Sequence, residues 1–509
     1  MRWLSVLPLV LALAGTAQAA QISVSPATGL TDGQVVTVTG TGFVPNESVS
    51  VGQCVVGRSC PAYDSNWVAD DSGRFSVSYV VSRCPSTQCA ITAHGAAYPD
   101  AVPLSFAAGP TLPPLRVSTK PSTRISISPR TGAAVVRGTM TCTRPGLVTI
   151  NAGIRELTRT PVALEGINRT VNFVCKQGTN RWRADVFAIG GSFVPGKARL
   201  DVRWEGTGSA GDFRTNGAVI KRPRRPHPAR YHVALGDSLA TGFASPPGGS
   251  YVQDLFAHLA PSVPGFQLVN FGCSGATTSS LIGGGSCGAG TSVSQLQAAE
   301  AFLRAHRRAL RLITIDIGGN DLVACVRPGG ADPACTAAAL QTVRTNLATI
   351  LTRLRRAAGR SVPIVTMTYF DPVLVTWFLG QPGQDQARNS VAVDSQLSDV
   401  IRSVYSRFGG HVADVNAAFQ TSDFTPLSDT PWGPLPTNVE RVCRWVNVTC
   451  PVPGTSRTQP AFGDDTNVSG SHVIADTFAG VITCSPTSCA GHAPRASSAS
   501  RAARGSSAP

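Results

Sequence analysis

Three short runs in the second half of the chain bring together residue types that suit acyl transfer. They are "GDSLATG" with Ser238, "NFGCSGATT" with Gly275 and "IGGNDL" with Asn320. A serine between a strand end and a helix start can turn its hydroxyl and its own N–H into one small space. A glycine lets a backbone N–H approach closely because it has no Cβ, and an asparagine adds a side-chain NH2. A nucleophile facing several converging donors is what attack on a carbonyl and stabilisation of the resulting oxyanion require. Singly, each residue is also an ordinary turn or helix-capping type; the ordered series of all three carries the signal. A nucleophilic serine also needs a base. Near the chain's end, "GDDTNVSGSHVIADTF" offers Asp464, Asp465 and His472.

The elements that must position these groups follow from the apolar pattern after Tyr231. Strand-like runs ("HVALG", "FQLVNFG", "LRLITIDIG", "VPIVTMTYF", "HVADV") alternate with helical stretches near 251–260, 293–307, 337–357, 386–407 and 470–482. Buried apolar strands separated by helices predict an α/β/α three-layer domain with a parallel sheet. In such a sheet, sites form beyond the carboxyl ends of the strands, where all three loops fall.

Upstream the pattern is all-β. Residues 21–108 read as short alternating strands ("VVTVTG", "SVSVGQC", "RFSVSYVV", "AITAHGA"), which predicts an immunoglobulin-like sandwich. A Pro-rich joint leads to a second β-rich domain over 115–219. There follows the linker "KRPRRPHPAR", basic and stiffened by proline, over 220–230. The α/β region occupies 231–489, and the tail 490–509 has no apolar periodicity and is expected to be disordered. The opening "MRWLSVLPLVLALAGTAQAAQ" has the form of a signal peptide over 1–20, with cleavage expected after Ala19 or Ala20.

Fourteen cysteines fit an exported protein. They fall into close couples: Cys54 and Cys60, Cys84 and Cys89, Cys142 and Cys175, Cys273 and Cys287, Cys325 and Cys335, Cys443 and Cys450, Cys484 and Cys489. Seven local disulfides is the economical reading, although spacing does not fix connectivity. No couple spells C-x-x-C, which argues against a zinc site, and no metal or other cofactor is expected. The net charge is +15. The basic linker lacks interleaved aromatics, which argues against nucleic acid; loose contact with an anionic wall or membrane surface is compatible with it. No later run is long enough to span a bilayer.

The region from Tyr231 to Ile482 resembles the SGNH (GDSL) hydrolase superfamily, most closely its secreted actinobacterial esterase and lipase branch. "YHVALGDSLATG", "LVNFGCSGATTSSL" and "LITIDIGGNDL" look like its first three blocks; "YFDPVL" and "NVERVCRW" also match. The resemblance implies that Ser238 is the nucleophile. The oxyanion hole would be the Ser238 and Gly275 N–H groups with the Asn320 amide. It also implies that the couples 273/287, 325/335 and 443/450 pin active-site loops. The first β region resembles the neocarzinostatin-like apoproteins through "VSPATGLTDGQVVTVTGTGF", "VGQC" and "CPSTQC".

The fourth block departs from the family. Aligned on "VIADTF" without gaps, the family's histidine position is occupied by Asp465, and Asn467 and Gly470 also match in that register. His472 then lies seven residues downstream, a displacement of roughly 10 Å if the segment is helical. If the helix starts later, His472 can swing to Ser238. The expectation is therefore a secreted carboxylester hydrolase, free or wall-associated, with Ser238 and His472 as catalytic pair and Asp465 as alternative base. Its substrate would be a lipid, short-chain or acetylated-glycan ester. The competing expectation is a catalytically impaired binder of wall polymer, glycan or small molecule. The other histidines, at 94, 227, 232, 258, 306, 411 and 492, fall in the β regions, linker, helices, strand starts or tail.

Overall fold

The computed structural model describes residues 20–55, 65–84, 89–95, 101–157, 165–168, 171–188, 193, 195–206, 209–221, 228–243, 245, 248–285, 293–327, 330–454, 458–485 and 487–492. The signal-peptide segment before residue 20, most of the basic linker, the tail after 492, Cys60 and Cys287 lie outside them.

The first β module packs two sheets face to face. One is ordered Gln21–Ser25, Val35–Thr41, Phe75–Val80; the other Ser65–Val68, Ser48–Val55, Cys89–His94, Val102–Leu104. Alternation in the sequence becomes alternation in space: Val36 and Val38 point into the core, whereas Val35, Thr37 and Thr39 face solvent. Val49, Val51, Tyr79 and Ile91 complete that core.

The second β region is also all-β, but its nine strands form one sheet that returns on itself. Glu165–Asn168 pairs with Gly178–Ala188 on one side and with Gly146–Glu156 on the other, so a ring closes. The sequence pattern predicts the strands of this region but not their closure. The physical reason for closure is strand length: twisted strands of up to 12 residues, such as Ser209–Ile220, can curl until their edges meet.

The C-terminal domain has a five-stranded parallel sheet in the order Phe266–Asn270, Arg230–Gly236, Leu310–Asp316, Ile364–Met367, His411–Ala413. Helices cover both faces, which is why these strands read as nearly unbroken apolar runs. In chain order the helices are α1 (Ser238–Thr241), α2 (Tyr251–Leu259), α3 (Thr278–Gly283), α4 (Gln295–Ala305), α5 (Gly319–Val323), α6 (Pro333–Ala358), α7 (Gln381–Arg407), α8 (Val415–Ala418), α9 (Thr437–Trp445) and α10 (Val468–Ala479). Their starts are chemically marked. Ser250 caps α2, Ser294 and Gln297 form a capping box on α4, and Asp332 precedes Pro333 on α6. No described helix is long and apolar enough to cross a membrane.

Disulfides join Cys84–Cys89, Cys142–Cys175, Cys325–Cys335, Cys443–Cys450 and Cys484–Cys489. Cys54 and Cys273 are also disulfide-bonded.

Candidate active site

The strand order reverses around Arg230–Gly236, and the loops beyond its carboxyl end and those of its two neighbours carry the three residues singled out above. Ser238 opens α1, a single turn whose N-cap Asp237 accepts the Leu239 N–H at 3.0 Å. Gly275 adopts φ +74°, a left-handed conformation that disfavours a side chain. Asn320 lies in the first turn of α5, and its Nδ2 donates to the Ala276 carbonyl at 3.1 Å, which ties the third loop to the second. The Thr241 and Ser274 hydroxyls, 2.9 Å apart, tie the first loop to the second.

Beneath Ser238 is a buried acidic network. Asp316 is fully buried and Asp237 is 2% exposed. Asp316 Oδ2 accepts the Asp237 and Ala240 N–H groups at 3.3 and 3.1 Å, and its Oδ1 accepts the Tyr251 hydroxyl at 2.5 Å. The Tyr369 hydroxyl donates to Asp237 Oδ2 at 3.2 Å. Burial pushes Asp237 up to about 6. Burial and the adjacent Asp237 push Asp316 well above the usual carboxylate value. This network locks the turn that presents Ser238. Sequence reasoning passed over it, although a carboxylate ending the apolar strand "LITID" was a visible anomaly.

The two candidate bases separate. Asp465 is 5% exposed and lies beside the Ser238 hydroxyl. Burial pushes its carboxyl up to about 7 against the lowering effect of that hydroxyl, and Asp464 and Asp237 add to the rise. Its Oδ1 is buried with no hydrogen-bond partner. His472 lies elsewhere. Asn467 caps α10, so His472 falls in the second turn, where its Nε2 is 3.4 Å from Asp254 Oδ2 on α2. Its side chain is 57% exposed and borders a cleft between the modules, whereas Ser238 lines a different cavity. The expected pairing of Ser238 with His472 is therefore not found. The reason is that the helix begins before the histidine, not after it. His232 is fully buried against Thr314 Oγ1 at 2.8 Å, and burial pushes it down to about 3.

Beside Ser238 and Asn320 opens a cavity of about 260 Å³ with apolar walls that include Leu322, Val323, Val326, Val373 and Phe462. Of the hydrophobic run 373–380, Val373 lines this cavity, while Leu374 and Val375 are buried in packing.

With this geometry established, residues 234–433 match the GDSL-like Lipase/Acylhydrolase family. Residues 22–105 match the Neocarzinostatin family. The solved structures that resemble the chain include AlinE4, a SGNH-hydrolase family esterase, at 23% identity over 36% of this chain and 76% of that one, with a TM-score of 0.24. They also include phospholipase A1 from Streptomyces albidoflavus NA297, at 18% identity over 49% of this chain and 99% of that one, TM-score 0.30. Macromomycin resembles it at 28% identity over 18% of this chain and all of that one, TM-score 0.14. No match was found among curated proteins.

Proposed function

We propose that the GDSL-like domain is a serine carboxylester hydrolase in which Asp465, not a histidine, takes the nucleophile's proton. The observation that carries this reading is the Asp465 carboxyl, buried against the Ser238 hydroxyl with its pKa pushed to about 7. A carboxylate at its ordinary value near 4 is a poor base at neutral pH; one near 7 is matched to the task.

In the proposed reaction, Ser238 Oγ attacks the ester carbonyl carbon as its proton passes to Asp465. The oxyanion of the tetrahedral intermediate is held by the Ser238 and Gly275 N–H groups and by Asn320 Nδ2. Collapse breaks the bond to the alcohol, which leaves with the proton from Asp465, and an acyl-Ser238 ester results. Water then attacks this ester, giving its proton to Asp465, and the acid departs as the proton returns to Ser238 Oγ. The small apolar cavity lies just below the usual size for drug-like ligands, which supports a short acyl chain. The cysteine content and the signal-like opening support secretion.

The test is labelling with a fluorophosphonate, followed by peptide mapping, alongside hydrolysis of p-nitrophenyl butyrate. A single adduct on Ser238, with turnover lost in Ser238→Ala, is expected. No adduct and no turnover would contradict the reading and favour a binding protein on the same fold.

A further inference from the structure

Asp465 stands on the connection between α9 and α10, where the carbonyl of the next residue, Thr466, also accepts the Ser245 hydroxyl and Asn447 Nδ2 at 2.6 and 3.0 Å. Its anchors are specific. The Asn447 N–H donates to the Asp465 carbonyl at 2.8 Å, and the Asn467 N–H and Nδ2 donate to the Trp445 and Arg444 carbonyls at 3.0 and 2.8 Å. Gly470 packs so tightly under Trp445 that a Cβ would lie 2.1 Å from its carbonyl oxygen. The next layer of contacts comes from the other end of the sequence.

Two loops of the first β module, 43–47 and 69–74, grip this junction. Asn46 Nδ2 donates to the Arg444 carbonyl at 3.1 Å, the same oxygen that holds Asn467. The Ser469 hydroxyl, in the first turn of α10, meets Asn46 Oδ1 at 2.7 Å and also bonds Asp71 Oδ1. Arg444 NH1 donates to the Asp71 carbonyl at 2.7 Å. Val44, 7% exposed, packs within the hydrophobic core of the hydrolase domain rather than that of its own module.

The gripping loops are built to be rigid. Asp70 Oδ1 accepts the Ser72 N–H, the Ser72 hydroxyl and the Arg74 N–H at 2.9, 2.7 and 2.9 Å. Glu47 Oε1 accepts the Val44 N–H at 2.6 Å. Asn46 itself has φ +61°, a left-handed conformation uncommon outside glycine that surrounding contacts must maintain.

We propose that the N-terminal β module is an intramolecular clamp on the base segment: Asn46 and Asp71 are positioning residues that hold Asp465 against Ser238 by way of Arg444 and Ser469. The proposal rests on the reading of Asp465 as the base. It gives the first module a part in turnover at a site that none of its residues line. Loosening the clamp lets water reach Asp465, and the base weakens as it loses its position.

The experiment compares full-length wild type with Asn46→Ala/Asp71→Ala and, across the contact, Ser469→Ala. Each is assayed with p-nitrophenyl butyrate between pH 5 and 9, with Ser238→Ala and Asp465→Asn as controls. Expected is a roughly 10- to 100-fold fall in kcat with KM within about twofold. The acidic limb of the profile should move to lower pH by about one unit, towards the ordinary carboxylate value. A merely structural loss would lower the amplitude and leave the limb in place. Asp71→Asn, which keeps the acceptor oxygen for Ser469, should retain most of the rate. If Asn46→Ala/Asp71→Ala does not fold, Ser469→Ala decides on the same two readouts. An unmoved limb and unchanged kcat in folded variants overturn the clamp alone. Turnover that is independent of Asp465 overturns the function reading, and the clamp with it.

Discussion

At the scale of single residues, Asp465 is a buried carboxyl beside Ser238, where the family resemblance leads to the expectation of a histidine. A buried acid that titrates near 7 has consequences for stability as well as for rate. The folded-state value of Asp465 is raised from 3.8 to about 7, so its contribution to stability is fully present below about pH 4 and is lost as pH rises through 7. Asp465→Asn removes the burden of a buried charge. At pH 8 its Tm should exceed that of wild type by at least about 2–4 °C, the change that roughly 1 kcal/mol makes in a domain of this size. At pH 4, close to the unfolded-state value and with the folded carboxyl protonated, the two should melt nearly together. A Tm difference that is the same at both pH values would contradict the burial of an ionisable Asp465. The sequence carried this residue only through register. Aligning "VIADTF" with the family it resembles puts Asp465 at the expected base position, but nothing local distinguishes an Asp that accepts a proton from one that caps a turn.

At the scale of elements, the parallel strands and the long helices were legible because their apolar periods are strong. The helix expected near 386–407 runs from Gln381 to Arg407, and that near 337–357 from Pro333 to Ala358. The start of α10 was harder to read, since "TNVSGSHV" contains Asn, Ser and Gly residues that suit either a loop or a helix N-terminus. Asn467 resolves it by accepting the Gly470 N–H at 3.1 Å, and that cap sends His472 to Asp254. The ring closure of the second β region was not legible, because strand alternation does not say which edges meet. The α9–α10 junction offers its own test. Gly470→Ala places a Cβ against the Trp445 carbonyl, so the segment must shift. A roughly 10-fold or greater loss of kcat with unchanged far-UV circular dichroism is expected; wild-type kcat would show that the junction does not set the base.

At the scale of the whole molecule, a module from the first hundred residues contacts a segment near residue 469. Because Val44 sits in the hydrolase core, these two parts should unfold together. Val44→Asp buries an unpartnered carboxylate at that seat, which costs several kcal/mol. Calorimetry of this variant should show the first module melting apart from the hydrolase domain, whereas wild type should show both in one transition. A single shared transition in the variant would mean that Val44 does not couple them. Such long-range docking leaves no trace in local pattern, since Asn46, Asp71 and Ser469 each read as ordinary turn or cap residues.

Which residue takes the proton from Ser238 is measured most directly by the pH dependence of kcat/KM. For wild type with p-nitrophenyl butyrate, activity should rise with pH through a midpoint near 7, as Asp465 loses its proton. Asp465→Asn should fall by about 10²- to 10⁴-fold, and His472→Ala should follow the wild-type curve. A wild-type rate in Asp465→Asn, or a collapse in His472→Ala, would contradict Asp465 as the base.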